Sequence, residues 1–190
     1  MSAYNDYHNL VRPHYYSGMI LTAQDLQAEQ EYHIHKRRMH NRCLHGCRVA
    51  CGLGVNLRRK FVYIEPGMAL DCLGNEIVVP EPVRIPLPDR KRRFFLTLSY
   101  SEIEAEPVPS PPAEGDFDRP EFSRIRESFA LGWSARDPLS AHDWRNGAWA
   151  ACGRSHPLAL AKFIIRSGQA RLSKSFEERV KAIHHKPGRE

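Results

Sequence analysis

The chain has 190 residues, of which 42% are hydrophobic and 26% are charged, and its formal net charge is +6. Size scaling predicts that folding buries about 70% of the unfolded surface, which is enough for one core and too little for two full domains. Because no run of roughly 18 apolar residues occurs, a membrane-spanning helix is excluded. The N-terminus also lacks the apolar segment of a secretion signal peptide, so no classical secretion signal is expected.

The charge is arranged in blocks. Residues 94–150 hold ten acidic and five basic side chains, whereas both flanking segments are basic. Alternating blocks suit charge pairing within or between subunits, but a nucleic-acid-binding domain more often presents one continuous basic face. The blocks alone are compatible with either kind of partner, and a basic nucleic-acid-binding module is kept as the alternative. The basic runs 58–60 and 90–93 are predicted to be turns between strands.

Residues 1–21 show no hydrophobic periodicity and carry aromatic side chains among polar ones. The residue before Pro13 avoids the helical region, so the chain is extended there. We predict an N-terminal docking arm that becomes ordered only by contact with something else.

Residues 22–46 are predicted to form a long helix. Thr22 is a good N-cap, Asp25 stands at the third helical position of a capping box, and Gly46 suits the end of the helix. Leu21 and Leu26 are spaced as a hydrophobic staple around the cap.

Two stripes of side chains run along the predicted helix. The first is expected to lie on a sheet, and it consists of Ala28, Tyr32, Met39, Cys43 and Cys47. The second has heptad spacing, and either faces water or meets copies of itself across a symmetry axis. It consists of Leu26, Gln30, His33, Arg37, His40 and Leu44. The predicted interaction residues are Tyr15, Tyr16, Met19, Leu21, Leu26, Gln30, His33, Arg37 and His40.

Residues 47–174 have the pattern of a β-sandwich. Short apolar or alternating segments are separated by Gly- and Pro-containing turns, and they lie at 49–57, 61–64, 68–71, 76–79, 94–100, 125–133, 158–165 and 170–172. Residues 101–122 contain five prolines and seven acids, which predicts an excursion that forms no core. Residues 175–190 are predicted to be a short helix and a basic tail. The predicted fold class is mainly β with a long N-terminal α-helix.

Catalytic motifs are absent from the sequence: there is no Walker loop, nucleophile elbow or HExxH segment. The five cysteines form an odd set without a signal peptide, which predicts reduced thiols. His and Cys residues around 33–51 raise the alternative of a metal-dependent enzyme. No CxxC pair accompanies them, so small buried cysteines are favoured. No catalytic residue, cofactor or metal ligand is predicted.

Ordered segments of the chain resemble a known family. Residues 16–27, Tyr-Ser-Gly-Met-Ile-Leu-Thr-Ala-Gln-Asp-Leu-Gln, resemble the opening of the shoulder domain of TssK, the type VI secretion baseplate adaptors. Residues 51–55, Cys-Gly-Leu-Gly-Val, are similar to the step into their first strand. Four further segments are similar to later strands of that domain, namely 66–71, 74–80, 94–100 and 157–163.

The same order also resembles proteins encoded near phage-like contractile injection systems. The matching segments are 29–30, 36–38, 41–42, 44–46 and 51–53. The chain stops where TssK proteins continue into a stalk and a membrane-complex-binding head, so that role is not carried over. The resemblance implies a non-enzymatic structural component of a phage tail or injection-system baseplate. It also implies docking to other baseplate or tail subunits and a homo-oligomer, with a trimer favoured, in a cytoplasmic assembly or in a virion or injection particle.

Overall fold

The structure, a computed structural model, describes residues 10–89, 92–109, 121–140, 142, 144–145, 148–149 and 152–176. Helix α1 spans Ala23–His40 and continues into one π-helical turn, Asn41–His45. The predicted capping box is confirmed, because the backbone N–H of Asp25 donates to the Thr22 hydroxyl and the backbone N–H of Thr22 donates to the Asp25 carboxylate. Gly46, with φ of 65°, ends the helix as predicted.

Twelve strands follow in the part of the chain that the structure describes. They are β1 Arg48–Gly52, β2 Val55–Arg58, β3 Phe61–Ile64, β4 Gly67–Leu70, β5 Glu76–Val79, β6 Val83–Pro86, β7 Phe94–Val108, β8 Glu121–Ser134, β9 Trp144–Arg145, β10 Ala148–Trp149, β11 Leu158–Arg166 and β12 Gln169–Leu172. All pairings are antiparallel, in sheets of order β1-β4-β5, β2-β3-β6, β12-β11-β7-β8 and the pair β9-β10. The predicted turn at 58–60 joins β2 to β3.

One hydrophobic core is shared by the three larger sheets. Phe94 and Phe163 stack at a ring-centroid distance of 5.2 Å, and Trp133 meets both rings edge-on. Ile64 and Ile77, from the two three-stranded sheets, are buried in the same cluster. The predicted fold class is therefore confirmed: the protein is mainly β, and its sheets pack around a common core behind a long N-terminal helix.

Strands β7 and β8 form a hairpin that extends beyond this core. Their register is regular from the pair Phe95–Ser134 to the pair Val108–Glu121. Side chains are buried from 94 to 98 and mostly exposed beyond that point. Residues 101–108, part of the predicted excursion, are a strand and not a loop, because cross-strand hydrogen bonds continue β7 where no core exists. The rest of that excursion, 110–120, lies outside the described residues, as do 1–9, 90–91 and 177–190.

Two expectations from the sequence are wrong. Cys47 and Cys72 form a disulfide, although reduced thiols were predicted. They do so because the helix end and the β4–β5 turn bring them together in the core, a proximity that the odd cysteine count does not show. No residue of α1 is buried, so the first stripe does not lay the helix on a sheet. Its members Tyr32 and Met39 are half-buried.

Candidate functional site

The described part of the arm, residues 10–21, is held against the start of the helix. The Tyr15 hydroxyl donates a hydrogen bond to the Glu29 carboxylate at 2.6 Å, and this bond raises the pKa of Tyr15. A turn follows, in which the N–H of Met19 donates to the carbonyl of Tyr16 and Gly18 adopts φ of 87°. The arm therefore doubles back on α1.

Apolar side chains of the arm and helix face solvent. Ile20 is 85% exposed, Val11 79% and Tyr16 70%. The others that are exposed in this region are Leu10, Tyr15, Leu21, Leu26, Ile34 and Leu44. Large exposed apolar patches mark interaction sites on soluble proteins, so this concentration of exposed apolar side chains makes the arm and helix a candidate contact surface.

The C-terminal end of the helix is fixed to the body. The buried Asn41 amide donates to the carbonyl of Gly74 at 2.9 Å and to the Glu76 carboxylate at 3.2 Å. Arg37 and Arg38 approach Glu76 and Glu102, both at 3.8 Å. One end of α1 is therefore anchored, and the other carries the arm.

Between α1 and strands β5, β7 and β8 lies a groove of about 430 Å³. The residues along its lining are Glu29, Gln30, His33, Ile34, Arg37 and Arg38 on the helix side and Gly74, Asn75, Glu76, Tyr100, Glu102 and Glu127 on the strand side. Glu102 and Glu127 are directly opposite each other in the hairpin. The Tyr100 hydroxyl donates to Glu102 at 2.8 Å, and burial followed by this bond raises the pKa of Tyr100 well above its ordinary value. The groove thus places basic groups opposite an acidic wall.

The predicted interaction residues divide between two places. Gln30, His33 and Arg37 come together on the groove, whereas Leu26 and His40 are exposed outside its lining. The arm residues among them are exposed except Met19, which is half-buried. The sequence analysis did not identify the glutamates on the strand side of the groove, Glu76, Glu102 and Glu127. The only sequence signal related to them was the acidic block at 94–150, which contains Glu102 and Glu127.

A second constellation, which the sequence analysis missed, is a cluster of two cysteines and two histidines. Cys72, His142, Cys152 and His156 each offer a ligand atom, and these atoms all lie within 4.8 Å of one another. The Cys152 sulfur lies 3.2 Å from Nε2 of His156, and the Cys72 sulfur lies 3.5 Å from Nε2 of His142. The two Nε2 atoms are 3.0 Å apart.

Burial and hydrogen bonding act on the two histidines of this cluster. Burial, followed by the charge of His156, lowers the pKa of His142. Nδ1 of His156 lies 3.1 Å from the carbonyl oxygen of Pro157. Since a carbonyl only accepts, Nδ1 carries the proton and Nε2 presents its lone pair to the cluster. Nδ1 of His142 is buried and has no hydrogen-bond partner among the described residues.

Local backbone structure positions the cysteine of the β4–β5 turn. The buried Asp71 carboxylate accepts hydrogen bonds from the backbone N–H groups of Leu73 and Asn75 and from the Asn75 amide. The N–H of Gly153 donates to the carbonyl of Cys72 at 3.2 Å, which ties the two cysteine-bearing loops together. The metal hypothesis for 33–51 finds no such cluster there among the described residues. No described helix is long and apolar enough to cross a membrane.

Comparison with known proteins yields structural relatives only. No protein-family model matches the sequence, and no curated protein matches it significantly. A chain of the TssK–TssF–TssG baseplate subcomplex of the type VI secretion system, seen by cryo-electron microscopy, is 14% identical with a TM-score of 0.51. A chain of the type VI baseplate complex is 13% identical with a TM-score of 0.50. A crystal structure of TssK, 13% identical, gives 0.49 over 88% of this chain and 41% of that one.

The two baseplate matches each cover 87% of this chain, which spans about 60% and 58% of the matched chains. At such identity the likeness establishes the fold. The resemblance to TssK expected from ordered sequence segments is confirmed at that level.

Proposed function

We propose that this chain is a non-enzymatic structural subunit of a phage-tail or contractile-injection baseplate, which self-assembles and docks to neighbours through residues 10–21 and α1. The observation that carries the proposal is that α1 has 18 residues and that none of them is fully buried. In proteins most of a helix's stability comes from the packing of one of its faces against other structure, and not from helix propensity. The exposed arm and helix therefore need a partner surface.

A second copy of this chain is the first occupant that we propose. Homo-oligomers usually close by symmetry, and the resemblance to TssK is the reason for proposing a trimer. Leu26, His33 and His40 recur every seven residues along α1, as expected for a helix that meets its own copies. Stable interfaces bury on the order of 1,600 Å² in total, which the arm and helix can supply without enlarging the core.

Other baseplate or tail proteins are the further partners. The fold supports this proposal, because the matched chains belong to baseplate complexes, one of which is named for TssF and TssG beside TssK. The neighbours that we propose for this chain are subunits of that structural kind. The assembly would operate in the cytoplasm or in an injection particle.

Sedimentation velocity of the full chain over a range of concentrations tests self-assembly. We expect an oligomer that Ile20→Glu weakens at least about tenfold, since a charge would replace the most exposed apolar side chain of the arm. Val78→Glu is the matched control, because Val78 is also an exposed apolar residue, 52% accessible, but lies on strand β5. A monomer at every concentration, or equal weakening by the control, would refute self-assembly through the arm.

Substitution of the helix histidines tests the second stripe. His33→Leu combined with His40→Leu is expected to change the assembly state while circular dichroism of the subunit stays the same. An unchanged assembly would remove this stripe from the interface. Baseplate docking is tested by co-purification with neighbouring tail proteins. A chain that instead binds nucleic acid, with affinity falling steeply as salt rises from about 50 to 200 mM, would favour the alternative.

A further inference from the structure

We propose that the reduced chain binds one Zn²⁺ ion through Cys72, His142, Cys152 and His156. We also propose that the Cys47–Cys72 disulfide is the competing, zinc-free state of this site. The inference goes beyond the proposed function, and it does not depend on assembly.

The separations of the four donor atoms fit tetrahedral coordination. With Zn–N of about 2.0–2.1 Å and Zn–S of about 2.3 Å, tetrahedral ligands lie roughly 3.3–3.8 Å apart. In the folded chain three of these separations are 3.0 Å between the two Nε2 atoms, 3.2 Å between Cys152 and His156, and 3.5 Å between Cys72 and His142. All four atoms lie within 4.8 Å of one another, so small side-chain adjustments suffice to place one ion between them.

The ligand set identifies the metal class. Two thiolates and two imidazoles form the Cys₂His₂ set of structural zinc sites, and soft sulfur ligands disfavour magnesium and calcium. Four protein ligands leave no open position for a substrate. Zinc-ligating histidines usually donate their other ring N–H to a carbonyl or carboxylate, which fixes the ring orientation. His156 has this arrangement, because its Nδ1 faces the Pro157 carbonyl and its Nε2 is left for the ion.

The ligands come from three segments that are distant in sequence. Cys72 lies in the turn between β4 and β5, and His142 follows a turn in which its N–H donates to the carbonyl of Leu139. Cys152 and His156 share the segment before β11, with three residues between them. An ion at this place would cross-link the three segments at the margin of the core.

The disulfide and the ion compete for one sulfur atom. A phosphine reductant transfers two electrons to the Cys47–Cys72 bond and, with one water molecule, yields two thiols and the phosphine oxide. Zinc then displaces one proton from each of the Cys72 and Cys152 thiols. A disulfide oxidant such as oxidised glutathione reverses this: it accepts two electrons by thiol–disulfide exchange, leaves as two reduced thiols, re-forms the Cys47–Cys72 bond and so frees the ion.

Elemental analysis of the full chain, equilibrated with Zn²⁺ and freed of excess metal, tests the proposal. We expect one zinc per chain after phosphine reduction and none after oxidation. Cys47→Ser should bind zinc without reductant, because its Cys72 has lost the competing partner. X-ray absorption of the zinc-bound wild type should show two sulfur and two nitrogen ligands. This measurement needs no variant, so it stands even if a substitution prevents folding.

Ligand substitutions and a matched cysteine control complete the test. Cys152→Ser and His156→Ala should each weaken zinc binding at least about tenfold, since even second-shell changes cost 10–100-fold. Cys51→Ser should leave affinity unchanged, because Cys51 is exposed and outside the cluster. The proposal is overturned if the reduced chain holds no stoichiometric zinc or if the oxidised chain retains it. It is equally overturned if Cys51→Ser weakens binding as much as Cys152→Ser.

Discussion

Asn41→Ala should disconnect the long helix from the body of the protein. The Asn41 side chain is buried and makes two hydrogen bonds, one to the Gly74 carbonyl at 2.9 Å and one to the Glu76 carboxylate at 3.2 Å. A neutral hydrogen bond contributes about 0.5–1.5 kcal/mol net, and one to a charged group about 1.5–3 kcal/mol. The Glu76 side chain is 35% exposed, so water competes for its carboxylate and lowers the net contribution of the bond to Asn41. The expected loss is therefore about 2–3 kcal/mol.

Urea denaturation of the wild type and the variant measures this loss, provided that the transition is two-state. The matched control is Asn56→Ala, because the exposed Asn56 amide also donates to a glutamate, Glu65, at 3.1 Å. This control should change the unfolding free energy by less than about 0.5 kcal/mol. Hydrogen exchange should also accelerate in the last turn of α1 only for Asn41→Ala. Equal effects of the two substitutions would refute the claim that burial makes the Asn41 junction stronger.

Two further substitutions test the ends of the helix. Thr22→Ala should cost about 1 kcal/mol through loss of the cap. Hydrogen bonds from Thr22 lower the pKa of Asp25 below its ordinary value of 3.8. The ionised Asp25 therefore stabilises the fold fully above pH 3.8, and this stabilisation is lost as the pH falls through the lowered pKa. In urea titrations the effect of Thr22→Ala should accordingly become smaller at low pH. Gly74→Ala should cost more than the roughly 1–2 kcal/mol of a positive φ, because a Cβ would overlap the Arg38 carbonyl. Gly168→Ala, with positive φ but open space, should cost only the φ term, and equal losses would contradict the steric argument.

Much of the local structure was predictable because short-range chemistry determines it. The Thr22–Asp25 capping box needs only a hydroxyl and a carboxylate three residues apart. Strands β3 and β5 were located to the residue, since each is a compact apolar segment bounded by turn residues. Strand β6, Val83–Pro86, was missed because prolines at both sides indicate a loop and its edge position is not visible in the sequence.

The parts that could not be predicted depend on contacts between distant segments. Cys72 and His142 are 70 residues apart, and no spacing rule joins them to Cys152 and His156. The disulfide had the same difficulty, because Cys47 and Cys72 meet only once the helix end packs on the β4–β5 turn. The groove was predictable on one side alone: helical periodicity gathers Gln30, His33 and Arg37, but the strands that supply Glu102 and Glu127 are set by the fold.

The constant register between β7 and β8 has a mechanical consequence. Since side chains alternate between faces, a slip of one residue would turn Phe94, Leu96 and Leu98 out of the core. The buried base therefore determines which side chains of 101–108 and 121–128 point to each side, because these segments bury no side chain that could fix the register themselves. At about 3.3 Å per residue, strand 101–108 carries this alignment some 25 Å outward. A neighbour that bound strand 101–108 would therefore contact side chains whose facing is fixed by the buried part of the same hairpin.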